Sequence, residues 1–209
     1  FYWVLVHQWG NNNFVAFNVS STGIATQSVV SSIGSAHTCG SYGGVHDAMG
    51  QLTISQNGSL VANAVTCQDK IELFNFNVLT GALSNSISLP GNGNYAWATA
   101  FSPNNQKFYT NTIFGQSIYQ YDISSFTYSS IVASIYTVVT TGVNSYNFGY
   151  MELGPDNKIY VAKPPSSTSI SVINNPNGAG STCSFVTYGQ SISPKQSTWG
   201  LSRIAYNIP

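Results

Sequence analysis

A short phrase recurs three times along this chain of 209 residues at nearly constant spacing. Each copy reads as an apolar strand, a turn containing Asn or Asp, and a second strand rich in aromatic or β-branched residues. The copies are GQLTISQNGSLVANAV (50–65), ATAFSPNNQKFYTNTI (98–113) and GYMELGPDNKIYVAKP (149–164). A period of roughly 40–50 residues that contains several strands is typical of β-propeller blades. The repeat therefore predicts an all-β propeller.

A second pair of predicted strands follows each copy, which gives four strands per repeat. The third strands are expected at 71–77, 117–124 and 169–177, and the outer strands at 80–89, 129–138 and 181–189. We find no capped segment with helical periodicity. The predicted fold is a β-propeller with four-stranded antiparallel blades of about 50 residues each.

The ends of the chain fit the same order of strands. Residues 1–9 are predicted to be the second strand of a blade, with 14–20 as the third and 25–33 as the fourth. The first strand of that blade is expected from 199–207. We divide the single propeller region 1–209 into blades at 1–45 with 199–209, 46–92, 93–146 and 147–198. The chain is then either a ring of four blades or the C-terminal part of a larger propeller, and the start in mid-blade without Met favours the larger ring.

Charged residues make up only 6% of the chain, against roughly 25% in ordinary soluble domains. Six basic and six acidic residues cancel, so no basic stripe is available for nucleic acid or anionic lipid. No apolar run is long enough to span a bilayer. We expect no nucleic-acid partner and no direct membrane insertion. The uncharged polar surface is typical of secreted and cell-surface β proteins, which predicts an extracellular or cell-surface location.

Candidate metal ligands cluster in the Gly-rich segment 35–50, which holds His37, Cys39, His46 and Asp47. They could form a metal site or a Cys–His catalytic pair, or they could fix a loop that enters the next blade. Nothing nearby completes a ligand set, so we assign His46 and Asp47 as structural polar ties and expect no metal and no cofactor. With Cys67 and Cys183, the cysteines allow at most one disulfide and match no zinc pattern.

No catalytic residue is assigned. Glu72 and Glu152 lie in predicted strands, and a glycosidase would require such a pair to face each other about 5–10 Å apart. Asp122 ends a predicted strand and Asp156 lies in a turn, which are ordinary structural positions. Nucleophile-elbow, phosphate-loop and dinucleotide motifs are absent from the sequence.

Aromatic residues recur near blade starts and entry loops. Trp9, Tyr42, Tyr95 and Tyr146 are the candidates to face a ligand or partner, because aromatic rings stack on sugars and anchor protein interfaces. We expect Trp97 and Trp199, beside the first strands, to pack between blades.

Seven phrases are spread along most of the length of the chain. They are YWVLVHQWGNNNFVAFNVSSTGI, LFNFNVLTGALSN, FSPNNQKFY, IYQYDIS, LGPDNKIYVA, SVINNPNGAG and WGLSRIAYN. In this order they resemble Bacteroidota surface proteins in which a propeller-like N-terminal region precedes immunoglobulin-like modules and a C-terminal sorting domain for type IX secretion. The resemblance implies further blades upstream, an extracellular location, and a part in gliding motility, adhesion or surface assembly. The turns depart from the family's usual Asp-Gly, as at Asn104 and Asn105.

These observations predict a non-enzymatic extracellular propeller module for adhesion or protein–protein assembly at a bacterial cell surface. Its expected partners are other cell-surface or secreted proteins, and glycans. One alternative is a carbohydrate-binding or carbohydrate-cleaving propeller. Another is a structural subunit of a surface filament or secretion assembly, in which an unpaired strand edge recruits the next subunit.

Overall fold

The computed structural model describes residues 2–40, 46–113, 116–142 and 148–201. Their strands form four antiparallel sheets of four strands each. The strands are β1 (Tyr2–His7), β2 (Asn13–Ser20), β3 (Gly23–Ile24), β4 (Val29–Ser32), β5 (Leu52–Ile54), β6 (Leu60–Val65), β7 (Lys70–Phe76), β8 (Leu83–Pro90), β9 (Ala96–Phe101), β10 (Lys107–Thr112), β11 (Ser117–Asp122), β12 (Tyr136–Thr140), β13 (Met151–Leu153), β14 (Ile159–Val161), β15 (Ser169–Ile173) and β16 (Phe185–Ser191). One α-helix, α1 (Tyr128–Ala133), and two 3-10 turns (Asp47–Met49 and Gly180–Cys183) complete the described elements.

The second, third and fourth sheets are simple meanders in chain order, β5 to β8, β9 to β12 and β13 to β16. Their first strands contact one another, with β9 lying against both β5 and β13. Apolar clusters fill the spaces between successive sheets. The prediction of an all-β fold built from four-stranded antiparallel sheets is confirmed.

Gln51, just before β5, joins three sheets through its buried side chain. Its Nε2 donates to the carbonyl of Met151 at 2.6 Å. Its Oε1 accepts from the backbone N–H of Thr99 at 3.1 Å and of Met151 at 3.2 Å. The second sheet is thereby bonded directly to the third and to the fourth.

The turn residues of the repeated phrase close its hairpins. Ser55 Oγ donates to Asn57 Oδ1 at 2.9 Å, and Ser102 makes the same bond at 2.7 Å to the asparagine two residues later. Each serine oxygen also accepts the backbone N–H five residues on, at 2.9 Å in both turns. In the third copy Gly154 replaces the serine, and a Cβ there would lie 2.7 Å from the ring of Tyr160. An aromatic ring therefore occupies the space of the serine side chain in that turn.

The first sheet has a broken outer strand. β1 pairs with one edge of β2, while β3 and β4 share the other edge. Within residues 2–40, 46–113, 116–142 and 148–201, no strand pairs with the free edge of β1. The predicted partner at 199–207 falls largely outside the described residues.

Two predicted outer strands are wrong in their first halves, as is the expectation that no segment is helical. Residues predicted to be strand at 129–138 begin with α1, which buries Ile131 against the second and third sheets, and pairing starts only at β12. Ser134 is the C-cap of the helix, and its Oγ donates to the Ile131 carbonyl at 2.7 Å. The segment 181–189 likewise begins in a 3-10 turn that buries Cys183 before β16. In both of these outer segments, a helical turn buries an apolar side chain at a position where a strand was predicted.

Candidate functional site

The segments that join successive sheets and those that join second to third strands share one end of the molecule. Antiparallel pairing puts the start of each first strand beside the end of the second strand. In the first sheet, the segment between β1 and β2 lies at this end. We call this end the loop face, and it comprises residues 8–12, 33–40, 46–51, 66–69, 91–95, 113, 116, 141–142, 148–150, 162–168 and 192–201.

Asp47 is buried at the loop face and binds two neighbouring segments. Its carboxylate accepts the backbone N–H of Cys39 at 2.8 Å and that of Gln68 at 3.1 Å. The amide of Gln68 adds a third bond at 2.7 Å. A disulfide between Cys39 and Cys67, with Cα atoms 5.8 Å apart, joins the same two segments. His46 beside it is exposed, and its ring lies 6.3 Å from that of Trp9.

Cys39, Asp47 and Cys67 form the one group of three metal-ligating side chains found among the described residues, with ligand atoms within 4.8 Å of one another. Both sulfurs are engaged in the disulfide, and both carboxylate oxygens accept hydrogen bonds. In this oxidised form the group links segments covalently and leaves no thiolate to bind a metal.

Two histidines stack where the first sheet meets the second. The rings of His7 and His37 lie 3.5 Å apart between centroids and 18° from parallel. Nε2 of His37 is 3.1 Å from Nδ2 of Asn63. Burial lowers the pKa of both rings, and burial together with the neighbouring His7 lowers the pKa of His37 to about 4, against the opposing charge of Asp47. Both rings are therefore neutral near pH 7, a pairing that the sequence analysis missed.

Three aromatic residues meet near the inner strands, and we call Trp97, Tyr150 and Trp199 the aromatic cluster. The ring centroid of Trp97 lies 5.1 Å from that of Tyr150 and 5.8 Å from that of Trp199. Tyr150 is fixed by bonds from its hydroxyl to the Met49 carbonyl at 2.6 Å and from its N–H to the Trp199 carbonyl at 2.7 Å. Trp97 is buried, whereas 37% of Trp199 is exposed. The cluster is buried at Trp97 and reaches the solvent at Trp199.

The predicted partner-facing aromatics divide into two groups. Trp9 and Tyr95 lie on the loop face with 51% and 38% of their surfaces exposed. Tyr42 and Tyr146 lie outside the described residues.

The carboxylates considered for catalysis have separate positions. Glu72 is buried on β7, where its Oε1 accepts the N–H of Ser35 at 2.7 Å. Asp122 pairs with Lys107 at 2.5 Å, and this hydrogen bond is the main reason that its pKa falls to about 2. Asp156 accepts the Tyr160 hydroxyl at 2.9 Å within a turn, and Glu152 lies on β13. Hydrogen bonds or an ion pair therefore hold the carboxylates of Glu72, Asp122 and Asp156 in structural positions.

Lys163, which the sequence analysis also missed, follows β14 on the loop face with only 7% of its surface exposed. Its Nζ lies 4.8 Å from the ring centroid of Tyr188 and 5.8 Å from that of Phe148. Burial lowers the pKa of the ammonium group. Across the described ranges, no carboxylate lies within ion-pair distance of Lys163. The rings of Tyr188 and Phe148 therefore stabilise this charge by cation–π interactions.

No family model and no curated protein matches the chain. Among solved structures, a candidate 6-phosphogluconolactonase from Bacteroides uniformis is 15% identical with a TM-score of 0.55, covering 84% of this chain and 52% of its own. A second, from Bacteroides fragilis, is 13% identical with a TM-score of 0.57, covering 86% and 52%. A Lactobacillus plantarum protein is 12% identical with a TM-score of 0.58, covering 94% and 54%.

These likenesses define the class of the fold, which is that of a β-propeller. At this level of identity they show the fold alone. The chain spans about half the length of the solved structures it matches. Among the described residues, no helix has the length and apolarity needed to cross a membrane.

Proposed function

We propose that this chain is a non-enzymatic β-propeller module that mediates adhesion or protein–protein assembly at a bacterial cell surface. The observation that carries the proposal is the aromatic cluster, which is firmly packed at Trp97 yet exposes Trp199 on the loop face. Rigid aromatic anchors on a fixed scaffold are typical of binding surfaces. The carboxylates considered for catalysis or metal binding, by contrast, already have structural partners. Hydrogen bonds or an ion pair engage those of Asp47, Glu72 and Asp122.

The disulfide supports an extracellular location. Disulfides such as Cys39–Cys67 form and persist in oxidising compartments and are rare where thiols are kept reduced. The phrases shared with type IX secretion and gliding-motility surface proteins of the Bacteroidota point in the same direction.

We also propose that these four sheets belong to a larger ring, because one face of the first sheet is apolar and uncovered. Its strand register places eight apolar side chains on that face: Tyr2, Val4, Val6, Val15, Phe17, Val19, Ile24 and Val30. Tyr2, Val4 and Val6 are 46%, 49% and 43% exposed. The opposite face, with Trp3 and Leu5, packs against the second sheet. A propeller blade buries both faces against neighbours, so a further blade would cover this one.

Dye binding tests the larger ring. The 209-residue chain should bind a hydrophobic dye or self-associate, and Val4→Thr with Val6→Thr should reduce either behaviour. A monomer that binds no dye would show that this face needs no further blade.

Cell binding tests the function. The labelled chain should be retained on intact Bacteroidota cells, and Trp199→Ala should abolish most of that retention. Tyr128→Ala is the matched control because Tyr128, which is 55% exposed, lies on α1 away from the loop face. Retention that is unchanged by Trp199→Ala, or turnover of glycoside, ester or lactone substrates above background, would refute the proposal.

A further inference from the structure

Asp47 is a buried carboxylate with no cation beside it among the described residues. It is 1% exposed, and no basic side chain in those ranges lies within ion-pair distance of its oxygens. Burying a charge is costly unless an opposite charge or hydrogen bonds replace the lost hydration. The three hydrogen bonds from Cys39 and Gln68 offset part of this cost. A bound cation would supply the missing positive charge.

The backbone holds this carboxylate between the two cysteines of the disulfide. Its Oδ2 accepts the N–H of Cys39 at 2.8 Å, and its Oδ1 accepts the N–H of Gln68, the residue after Cys67, at 3.1 Å. The Asp47 N–H donates in turn to the Cys39 carbonyl at 3.0 Å. Gln68 Nε2 also donates to the Ala36 carbonyl at 2.8 Å, which links the two cysteine segments a second time. The three side chains are therefore brought together by hydrogen bonds that do not require the S–S bond.

The donor set of this group matches the preference of zinc. Thiolate sulfur suits Zn²⁺, whereas Mg²⁺ and Ca²⁺ select oxygen ligands. Zn–S bonds of about 2.3 Å and Zn–O bonds of about 2.1 Å in tetrahedral geometry require ligand atoms roughly 3.6–3.8 Å apart. The ligand atoms of Cys39, Asp47 and Cys67 all lie within 4.8 Å of one another. Once the S–S bond is broken, side-chain rotations about the same backbone positions suffice to reach that spacing.

We propose that the reduced form of this group is a zinc site, in which Zn²⁺ joins Cys39, Cys67 and Asp47 in place of the disulfide. An external dithiol supplies the two electrons for the reduction. The S–S bond between the cysteines breaks, two protein thiols form, and the dithiol is oxidised to its own disulfide. Zn²⁺ then displaces the two thiol protons as the thiolates bind it. With three protein ligands, water takes the fourth position.

The two forms of the site would cross-link the same segments of the loop face under different conditions. The link is covalent in an oxidising compartment and is made by zinc coordination where thiols are kept reduced. A chain that is exported from a reducing compartment meets both conditions in turn. The site makes no use of Trp199, so failure of this inference would leave the proposed binding function standing.

Cobalt binding tests the site, because Co²⁺ takes up tetrahedral thiolate sites and reports sulfur ligands by charge-transfer absorption. The protein reduced by a phosphine without oxygen should bind one Co²⁺ per chain with this absorption, and Zn²⁺ should displace it. The oxidised protein should show none. Cys39→Ser should weaken Co²⁺ binding by about 100-fold or more, since loss of a partner outside the ligand shell alone costs about 10–100-fold. Cys183→Ser is the matched control because it removes the free buried thiol, and it should bind as the wild type does.

Asp47→Asn tests the carboxylate with little change of shape. The reduced variant should bind Co²⁺ at least about 10-fold more weakly than the wild type, and formation of the disulfide on oxidation shows that its cysteines still meet. Unfolding of the wild type gives a test without any substitution: Zn²⁺ should raise the unfolding temperature of the reduced protein and leave that of the oxidised protein unchanged. No cobalt absorption by the reduced wild type, its loss in Cys183→Ser, unchanged affinity in Asp47→Asn, or an equal effect of Zn²⁺ on both redox forms would overturn the inference.

Discussion

We predict that acid weakens the joint between the first and second sheets, because the stacked histidines are held neutral there. The pKa of His37 is lowered from 6.5 to about 4, so between these values the unfolded chain binds a proton that the folded chain does not. The stability contributed by the neutral ring is complete above pH 6.5 and is lost as the pH falls towards 4. His37 is 3% exposed, so solvent screening is small. The full contribution is about 3 kcal/mol, and roughly 2–3 kcal/mol of it is lost by about pH 4.5.

Urea unfolding near pH 7 and near pH 4.5 measures this loss. His37→Gln is the informative variant because the amide preserves a polar partner for Asn63 and does not titrate. The variant should lose about 2 kcal/mol less stability on acidification than the wild type. Asp122, with a pKa of about 2, keeps its ion pair at the lower pH and so contributes little to the difference. Equal losses in the two proteins would show that His37 is not the acid-sensitive group.

Three further perturbations have expected outcomes. Gln51→Ala leaves three buried backbone groups without their partner, so the free energy of unfolding should fall by about 3 kcal/mol or more in urea; a loss below about 1 kcal/mol would contradict this. Reducing the Cys39–Cys67 disulfide, which spans 28 residues, should lower stability by about 3–4 kcal/mol, and a double serine variant should show no further effect of reductant. Gly81→Ala should cost more than Gly93→Ala in thermal unfolding, because both glycines have positive φ but only the first has an indole 2.6 Å from the added Cβ; equal costs would assign the whole effect to the backbone.

The hairpins were predictable from sequence because their determinants are local. Ser55 and Asn57 close a turn by a hydrogen bond between their side chains. All the residues that determine this turn therefore lie within one repeated phrase of sixteen residues. The outer layer was less predictable, since the same apolar residues around Ile131 satisfy either a strand or a helical turn. Only packing against the neighbouring sheets decides between them.

The candidate site was largely beyond sequence reasoning because its contacts are long-range. His7 and His37 come from different segments, and no pattern pairs them. No sequence motif marks Lys163. Its contacts with the rings of Phe148 and Tyr188 join residues that are distant in the chain. The sequence likewise left the pairing of the cysteines open. In the structure Cys39 and Cys67 form the disulfide, and Cys183 is a buried free thiol.

The bonds of Gln51 have a consequence for how the molecule comes apart. In repeat architectures each unit contacts only its neighbours, so melting can begin at one end and proceed unit by unit. Gln51 binds Met151 a hundred residues away, which couples the second sheet to the fourth without passing through the third. The three sheets should consequently open as one cooperative unit, with similar hydrogen-exchange protection in β6, β10 and β14. The first sheet, outside this link, would be the part that opens first.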